Sequence, residues 1–252
     1  ELIESLSEVK SPQQIFGALA KPYYARKAGV DPAQIFVVSI MPCVSKKYEL
    51  LRPEMNASGY RDVDAELSTR EFARMLFQAG IDLRKLPEED FDDPLGYASG
   101  AGIIFGSTGG VMEAALRTAY EWITGEELKD IEFPQVRSDK YKDTEIQMGE
   151  LRLKAAVARG TGEARRLIEA IKKGQKEYHF VEVMACPAGC VGGGGQPIYI
   201  ETNDWNEQVA HRSHRSNGLY QLDRQMEHRK AHTNPAVTRL YRDFLGHPGS
   251  EM

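Results

Sequence analysis

Only three cysteines occur among the 252 residues, at positions 43, 186 and 190. That is too few to staple a scaffold of this size with disulfides, so the thiols are packed, reactive or metal-bound. No apolar run reaches the roughly 20 residues that a helix needs to cross a bilayer, which argues against membrane insertion. Basic charge is not in excess either. Lys and Arg total 32 against 37 for Asp and Glu, a formal charge of −5, and this excludes a general nucleic-acid binder. Internal repeats and low-complexity linkers are absent, and the acidic start Glu1-Leu2-Ile3-Glu4 has no signal-peptide profile and reads as a cut edge. What remains is a globular composition, 41% hydrophobic and 27% charged, with length for one large domain or two small ones at roughly 100 to 200 residues each.

Ser11-Pro12 opens a helix predicted over 12–27, with Ser as cap and Pro at the first helical position. The β-branched run 35–41 reads as a strand buried on both faces, 64–67 as a second short strand, and 68–79 as a helix capped by Ser68 or Thr69 and ended by Gly80. A loop is expected over 86–93, then a glycine-rich loop over 99–110 leading into a long helix over 111–124. Strands are predicted at 131–136 and 151–158, a helix at 162–173 and a strand at 178–184, with a largely helical tail over 215–244. Strands alternating with helices favour an α/β fold with largely parallel sheets, whose sites form at the carboxyl ends of strands. Both cysteine segments fall at such ends. Each follows a strand that runs into Met-x-Cys, at Met41-Pro42-Cys43 and Met184-Ala185-Cys186.

Cys186-Pro187-Ala188-Gly189-Cys190 has x3 spacing, whereas zinc sites and thioredoxin-like pairs show x2. Two structural thiols are the plain alternative, but they leave Gly192 to Gly195 unexplained. Four successive glycines cost backbone entropy, so they imply positive φ angles or a close approach of backbone to something bulky. Such a stretch can also aim N–H groups at an anionic ligand. Thiolates there, with Cys43, suit a soft metal or an iron–sulfur cluster. Lys46, three residues past Cys43, is either a donor to an anionic metal ligand or an exposed lysine beside Lys47. Met41 and Met184 are either thioethers packed at a cluster or ordinary core residues. The loop Gly106 to Val111 lacks the Lys-Ser/Thr of a phosphate-binding loop. His228 and His232 have helical spacing without a Glu between them as in a zinc motif, and read as a solvated helix face; no carboxylates form an evident acid–base pair.

Met41-Pro42-Cys43-Val44-Ser45-Lys46-Lys47-Tyr48-Glu49, and Glu182 to Pro197 with its Met184-Ala185-Cys186-Pro187-Ala188-Gly189-Cys190 core, resemble the second and third signatures of iron-only (FeFe) hydrogenases. Ser11-Pro12-Gln13-Gln14, Ser99 to Gly102, Phe105-Gly106, Gly109 to Arg117, and Asn234-Pro235 with Phe244-Leu245-Gly246 extend the resemblance over essentially all of residues 1–252, with 200–252 as a helical, small-subunit-like segment. It implies an α/β fold of two lobes of mainly parallel sheet flanked by helices, with the metal cluster between them. It also implies reversible conversion of H2 to protons and electrons at an H-cluster, a 4Fe-4S cubane joined to a two-iron unit with carbon monoxide, cyanide and a bridging dithiolate. A relative that binds only the cubane, as a gas sensor or assembly factor, is the alternative.

By the same resemblance Cys43 and Cys186 would bind the cubane, and Cys190 would bind it and bridge to the two-iron unit. Lys46 would hydrogen-bond a cyanide, Met41 and Met184 would pack beside the two irons, Phe105 would line the pocket, and Gln13 and Ser45 would lie nearby. N–H groups at Gly193 and Gly194 would face the cluster, and Ser7 would belong to the proton relay. The implied partners are ferredoxin or an NAD(P)-linked subunit and the hydrogenase maturation proteins. The cytoplasm is the expected compartment and the periplasm the alternative. The family's first signature, which carries the fourth cubane cysteine, would precede Glu1, and its customary final helix would follow Met252. The expectation is an internal piece of a longer protein, inactive alone. Pro187-Ala188 and the extra glycine at Gly192 depart from the family pattern.

Overall fold

A computed structural model describes residues 3–137, 142–198 and 204–250. The chain divides into two compact units, Glu1–Leu95 and Gly96–Met252.

In the first unit, helix α1 (Pro12–Leu19) passes through one π turn (Ala20–Tyr24) into α2 (Ala25–Ala28), so the single helix expected over 12–27 is interrupted. Pro22 is the cause. It has no N–H for the carbonyl four residues back, and the wider turn takes up the mismatch. Gly29, at φ 68°, ends α2. Strand β1 (Val38–Met41) leads to α3 (Ser45–Glu49), and β2 (Ala65–Ser68) pairs with β1 in parallel. The strand is shorter than the apolar run, and the expectation of burial on both faces is corrected. Ser39 is buried, whereas Val38 and Ile40 are exposed. In a two-stranded sheet only covering elements decide which face is dry, and they bury Ser39, Glu66 and Ser68. The apolar core lies beside the strands, at Ala20, Val37, Leu50 and Val63. Helix α4 (Thr69–Gln78) is capped by Ser68, one of the two expected caps, and Glu71 completes a capping box with it.

The second unit begins with α5 (Gly100–Ile103), capped by Ser99, where a loop was expected, and a 3-10 turn follows at Ile104–Gly106. The long helix is α6 (Gly110–Thr124). Gly110 is required at its start because a Cβ would lie 1.8 Å from the carbonyl oxygen of Ile104. Strand β3 (Lys142–Met148) runs antiparallel to β4 (Leu151–Arg159), which pairs in parallel with β5 (Phe180–Met184) after α7 (Gly160–Lys172). Along β4 the period of two is exact in its consequence: Ala155 and Val157 pack with Met112 and Leu116 of α6, and Ala156 and Ala158 with Ala164 and Leu167 of α7. No strand forms at 131–136. That stretch is an irregular segment with a 3-10 turn at Pro134–Val136, and its apolar residues Phe133 and Val136 are buried in the same core as Met112. Helices α8 (Trp205–Gln225) and α9 (Pro235–Leu240) form the tail. Because α8 ends at Gln225, His228 and His232 share no helix face. His232 is instead half-buried, with Nε2 2.6 Å from Glu121 Oε2 and Nδ1 3.0 Å from Thr118 Oγ1.

Candidate metal-cluster site

Cys43 stands two residues past β1, half-buried, immediately before α3. Lys46 is the second residue of α3, and its Nζ lies 3.0 Å from both carboxylate oxygens of Glu49. Glu49 also accepts from Ser11 Oγ at 2.7 Å and Gln13 Nε2 at 2.8 Å, while Gln13 Oε1 accepts from Ser39 Oγ at 2.7 Å. Ser11 therefore makes no side-chain cap for α1; its hydroxyl is spent on Glu49. Burial works against ionising this carboxyl, but the bonds from Ser11, Gln13 and Lys46 prevail and hold it below the usual carboxylate range. Gln13 and Lys46 are thus brought together, with Ser11, which the sequence assigned to capping α1, and with Glu49 and Ser39, which sequence reasoning left without a role. The i,i+3 spacing of Lys46 and Glu49 was the available signal. Ser45 is exposed, Met41 is half-buried, and Ser7 is exposed with its Oγ accepting from the backbone of Val9.

In the second unit, Cys186 and Cys190 lie half-buried on the loop after β5, outside any disulfide. The loop is shaped by two residues in left-handed backbone, Ala188 at φ 62° and Gly189 at φ 87°. A Cβ on Gly189 would come within 2.7 Å of the Thr108 nitrogen, and one on Gly192 within 1.9 Å of the Pro187 carbonyl oxygen. The close approach inferred from the glycine run is therefore a backbone-to-backbone contact at Gly192, while the positive φ falls earlier, at Gly189. The N–H of Gly193 closes a turn on the Cys190 carbonyl at 2.9 Å, and that of Gly192 on Gly189 at 3.0 Å. The Gly193 N–H is thus engaged by the loop's own backbone. Gly194 is exposed.

Thr108 N–H donates to Ala188 O at 3.2 Å, joining the cysteine loop to the segment after Phe105. Phe105 itself packs against Ala101, Ile104, Ala114 and Tyr220. Glu182, two residues before half-buried Met184, is 5% exposed and accepts from the N–H groups of Gly109 and Met112 at 2.6 and 2.7 Å. It thereby pins the start of α6 to β5. Burial raises its pKa against the lowering effect of those two bonds. Among the described residues, no three His, Cys, Asp or Glu side chains converge as a metal-holding group. What each unit offers is soft-donor chemistry: one thiol after β1, and two on a loop whose backbone tolerates no added Cβ at Gly192. Thiols of this kind are the donors that an iron–sulfur cluster takes.

Residues 1–194 match the family described as "Iron only hydrogenase large subunit, C-terminal domain", and residues 209–252 the "Iron hydrogenase small subunit". The chain belongs to the iron-only hydrogenase family. It is 47% identical over its whole length to the NADP-reducing hydrogenase subunit HndD of Solidesulfovibrio fructosivorans, and 44% identical over 99% of its length to iron hydrogenase 1 of Clostridium pasteurianum. It spans only 42% and 43% of those two proteins. The [FeFe]-hydrogenase HydA1 from Chlamydomonas reinhardtii superposes with a TM-score of 0.81 at 38% identity, covering 99% of this chain and 68% of that one. More distant relatives include the cytosolic Fe-S cluster assembly factor narfl of Xenopus tropicalis, 34% identical over 77% of this chain and 42% of that protein. The α/β fold with parallel strand pairs is the one these hydrogenases share.

Proposed function

We propose that the chain supplies the H-cluster-holding part of a hydrogenase that interconverts dihydrogen with protons and electrons. The observation that carries this reading is the Cys186–Cys190 loop, which presents two half-buried thiols at the carboxyl end of β5 on a glycine-dependent backbone. Cys43 and Cys186 would ligate the 4Fe-4S cubane, and Cys190 would ligate it and bridge to the two-iron unit with its carbon monoxide, cyanide and dithiolate ligands. When bound, this group supplies the redox-active iron at which dihydrogen is made or split.

The chain's own residues position and polarise. The Lys46 ammonium has three N–H groups, and Glu49 takes two, leaving one for an anionic ligand. Gln13 and Ser11 would keep that ammonium aimed by gripping Glu49. Met41, Met184 and Phe105 would exclude water from the irons, with Ser45 and Gly194 at the margin, and Ser7 would pass protons. Electrons would be exchanged with ferredoxin or an NAD(P)-linked subunit, the latter supported by the relative named as NADP-reducing. Maturation proteins would build the two-iron unit, and the cytoplasm is the proposed compartment.

The second reading, a cubane-only protein, is favoured by the assembly-factor relatives. Iron and sulfide quantitation with infrared spectra of the protein, matured anaerobically, separates the two. Carbonyl and cyanide bands that vanish in Cys190→Ala are expected; iron and sulfide without those bands would establish the second reading.

A further inference from the structure

Within the second unit, behind the cysteine loop, lies a cavity of about 410 Å³ lined by hydroxyl, amide and guanidinium groups, with no carboxylate side chain among the described residues of its wall. Thr108 and Tyr220 line it at 6% and 7% exposure, and Thr108 Oγ1 and the Tyr220 hydroxyl have no hydrogen-bond partner among the described residues. Buried hydroxyls left in this condition are costly, and an acceptor seated at the cavity wall beside them would relieve that cost. Arg137 and Arg224 line the same space, Arg137 stacked 4.0 Å over the Tyr220 ring.

The charge around the cavity is unbalanced in the matching sense. Arg117 bonds Glu113 and Asp223, Arg137 bonds Glu113 and Glu132, Arg224 bonds Glu132, and Arg229 bonds Asp223 and Glu132. Among the described residues, four guanidinium groups share three carboxylates, so this network holds one excess positive charge. Glu182 is spent on the start of α6 and bonds none of these arginines.

We infer that this cavity binds a small oxyanion of the phosphate or carboxylate class, held by Arg137 and Arg224 and by the hydroxyls of Thr108 and Tyr220. Guanidinium forks and hydroxyl donors are the groups that such oxygens select. Ala188 is part of the cavity wall, and Thr108 N–H bonds its carbonyl, so an occupant would brace the loop between the two thiols. This inference does not depend on the H-cluster reading.

The test is calorimetric titration of the full chain with inorganic phosphate, and with acetate, at low ionic strength. Saturable binding of one anion per chain is expected, weakened at least tenfold by Arg224→Ala and several-fold by Thr108→Val, with Arg152→Ala as the unaffected surface control. Circular dichroism checks that each variant is folded. Backbone amide shifts at Thr108 and Ala188 should follow the titration. Acetate bound in preference to phosphate would assign the site to a carboxylate ligand within the same class. Absence of saturable binding by the wild type, or affinity unchanged in both cavity variants, would overturn the inference.

Discussion

Lys46 and Glu49 meet on α3 with the ammonium nitrogen 3.0 Å from each carboxylate oxygen, and the carboxylate is gripped from α1 by Gln13 and from its cap position by Ser11. Glu49→Gln keeps the shape and removes the charge. It is expected to cost the first unit about 1 kcal/mol, the scale of one such bond, by denaturant titration. In the matured protein it should shift the cyanide bands in the same direction as Lys46→Met but by less; unchanged bands in Glu49→Gln would sever Glu49 from the positioning of Lys46.

A larger loss is expected at Arg117, which is fully buried and bonded to Glu113 and Asp223. Arg117→Leu leaves buried Glu113 to Arg137 alone and buried Asp223 to Arg229 alone and should destabilise by about 3 kcal/mol. Arg84→Ala, at an exposed pair with Asp82, should change stability by no more than about 0.5 kcal/mol. Equal unfolding midpoints for the two variants would contradict the burial argument.

Acid should weaken the fold through particular carboxylates. Burial opposes ionisation of Glu121, but bonds from Lys230, His232 and the Leu128 N–H lower its pKa from 4.5 to about 2. At Glu132 the bond from Arg224 leads, with Arg137 assisting, and the pKa again falls to about 2. A carboxyl with a lower pKa folded than unfolded contributes its stability fully above 4.5 and loses it as the pH falls toward 2. Urea midpoints are therefore expected to drop over that window, more steeply in the wild type than in Glu121→Gln. A parallel decline in both would remove Glu121 from the account.

Two glycines should answer oppositely to alanine. In Gly192→Ala the new Cβ meets the Pro187 carbonyl oxygen at 1.9 Å, so the backbone must move, at a cost of roughly 2 kcal/mol. Gly218 lies within α8 with open space around a Cβ, and Gly218→Ala should stabilise by about 0.5 to 1 kcal/mol. Thermal unfolding of both variants decides this; stabilisation by Gly192→Ala would mean that the loop does not need its close contact.

Hydrogen turnover by a polypeptide of residues 1–252 alone is expected to be undetectable, because its three cysteines leave a four-thiolate cubane short of a ligand. Amperometric detection of hydrogen from purified, matured material would overturn that expectation.

Local signals were legible wherever the chemistry is local. The cap at Ser68, the strand ending at Met184 and the placement of both cysteine segments just past strands could all be read from residue order. Periodicity misled where burial depends on distant cover. The apolar residues at 131–136 resemble a strand, yet Phe133 and Val136 enter the core from an irregular segment. Pro22 marks the broken helix plainly, but only the surrounding structure turns that break into a π turn rather than a stop.

By itself, the amino-acid order determined the α/β alternation, the soft-donor character of the site and the family to which the chain belongs, since motif, spacing and donor type are properties of the chain as written. The tertiary structure alone decided which charges meet: Arg117 with Asp223, Glu182 with the start of α6, and Ser11 with Glu49 rather than with its own helix. Those partners lie 38 to 106 residues apart. No local pattern encodes such pairings, because they follow from which buried polar groups must find one another once the apolar surfaces have closed.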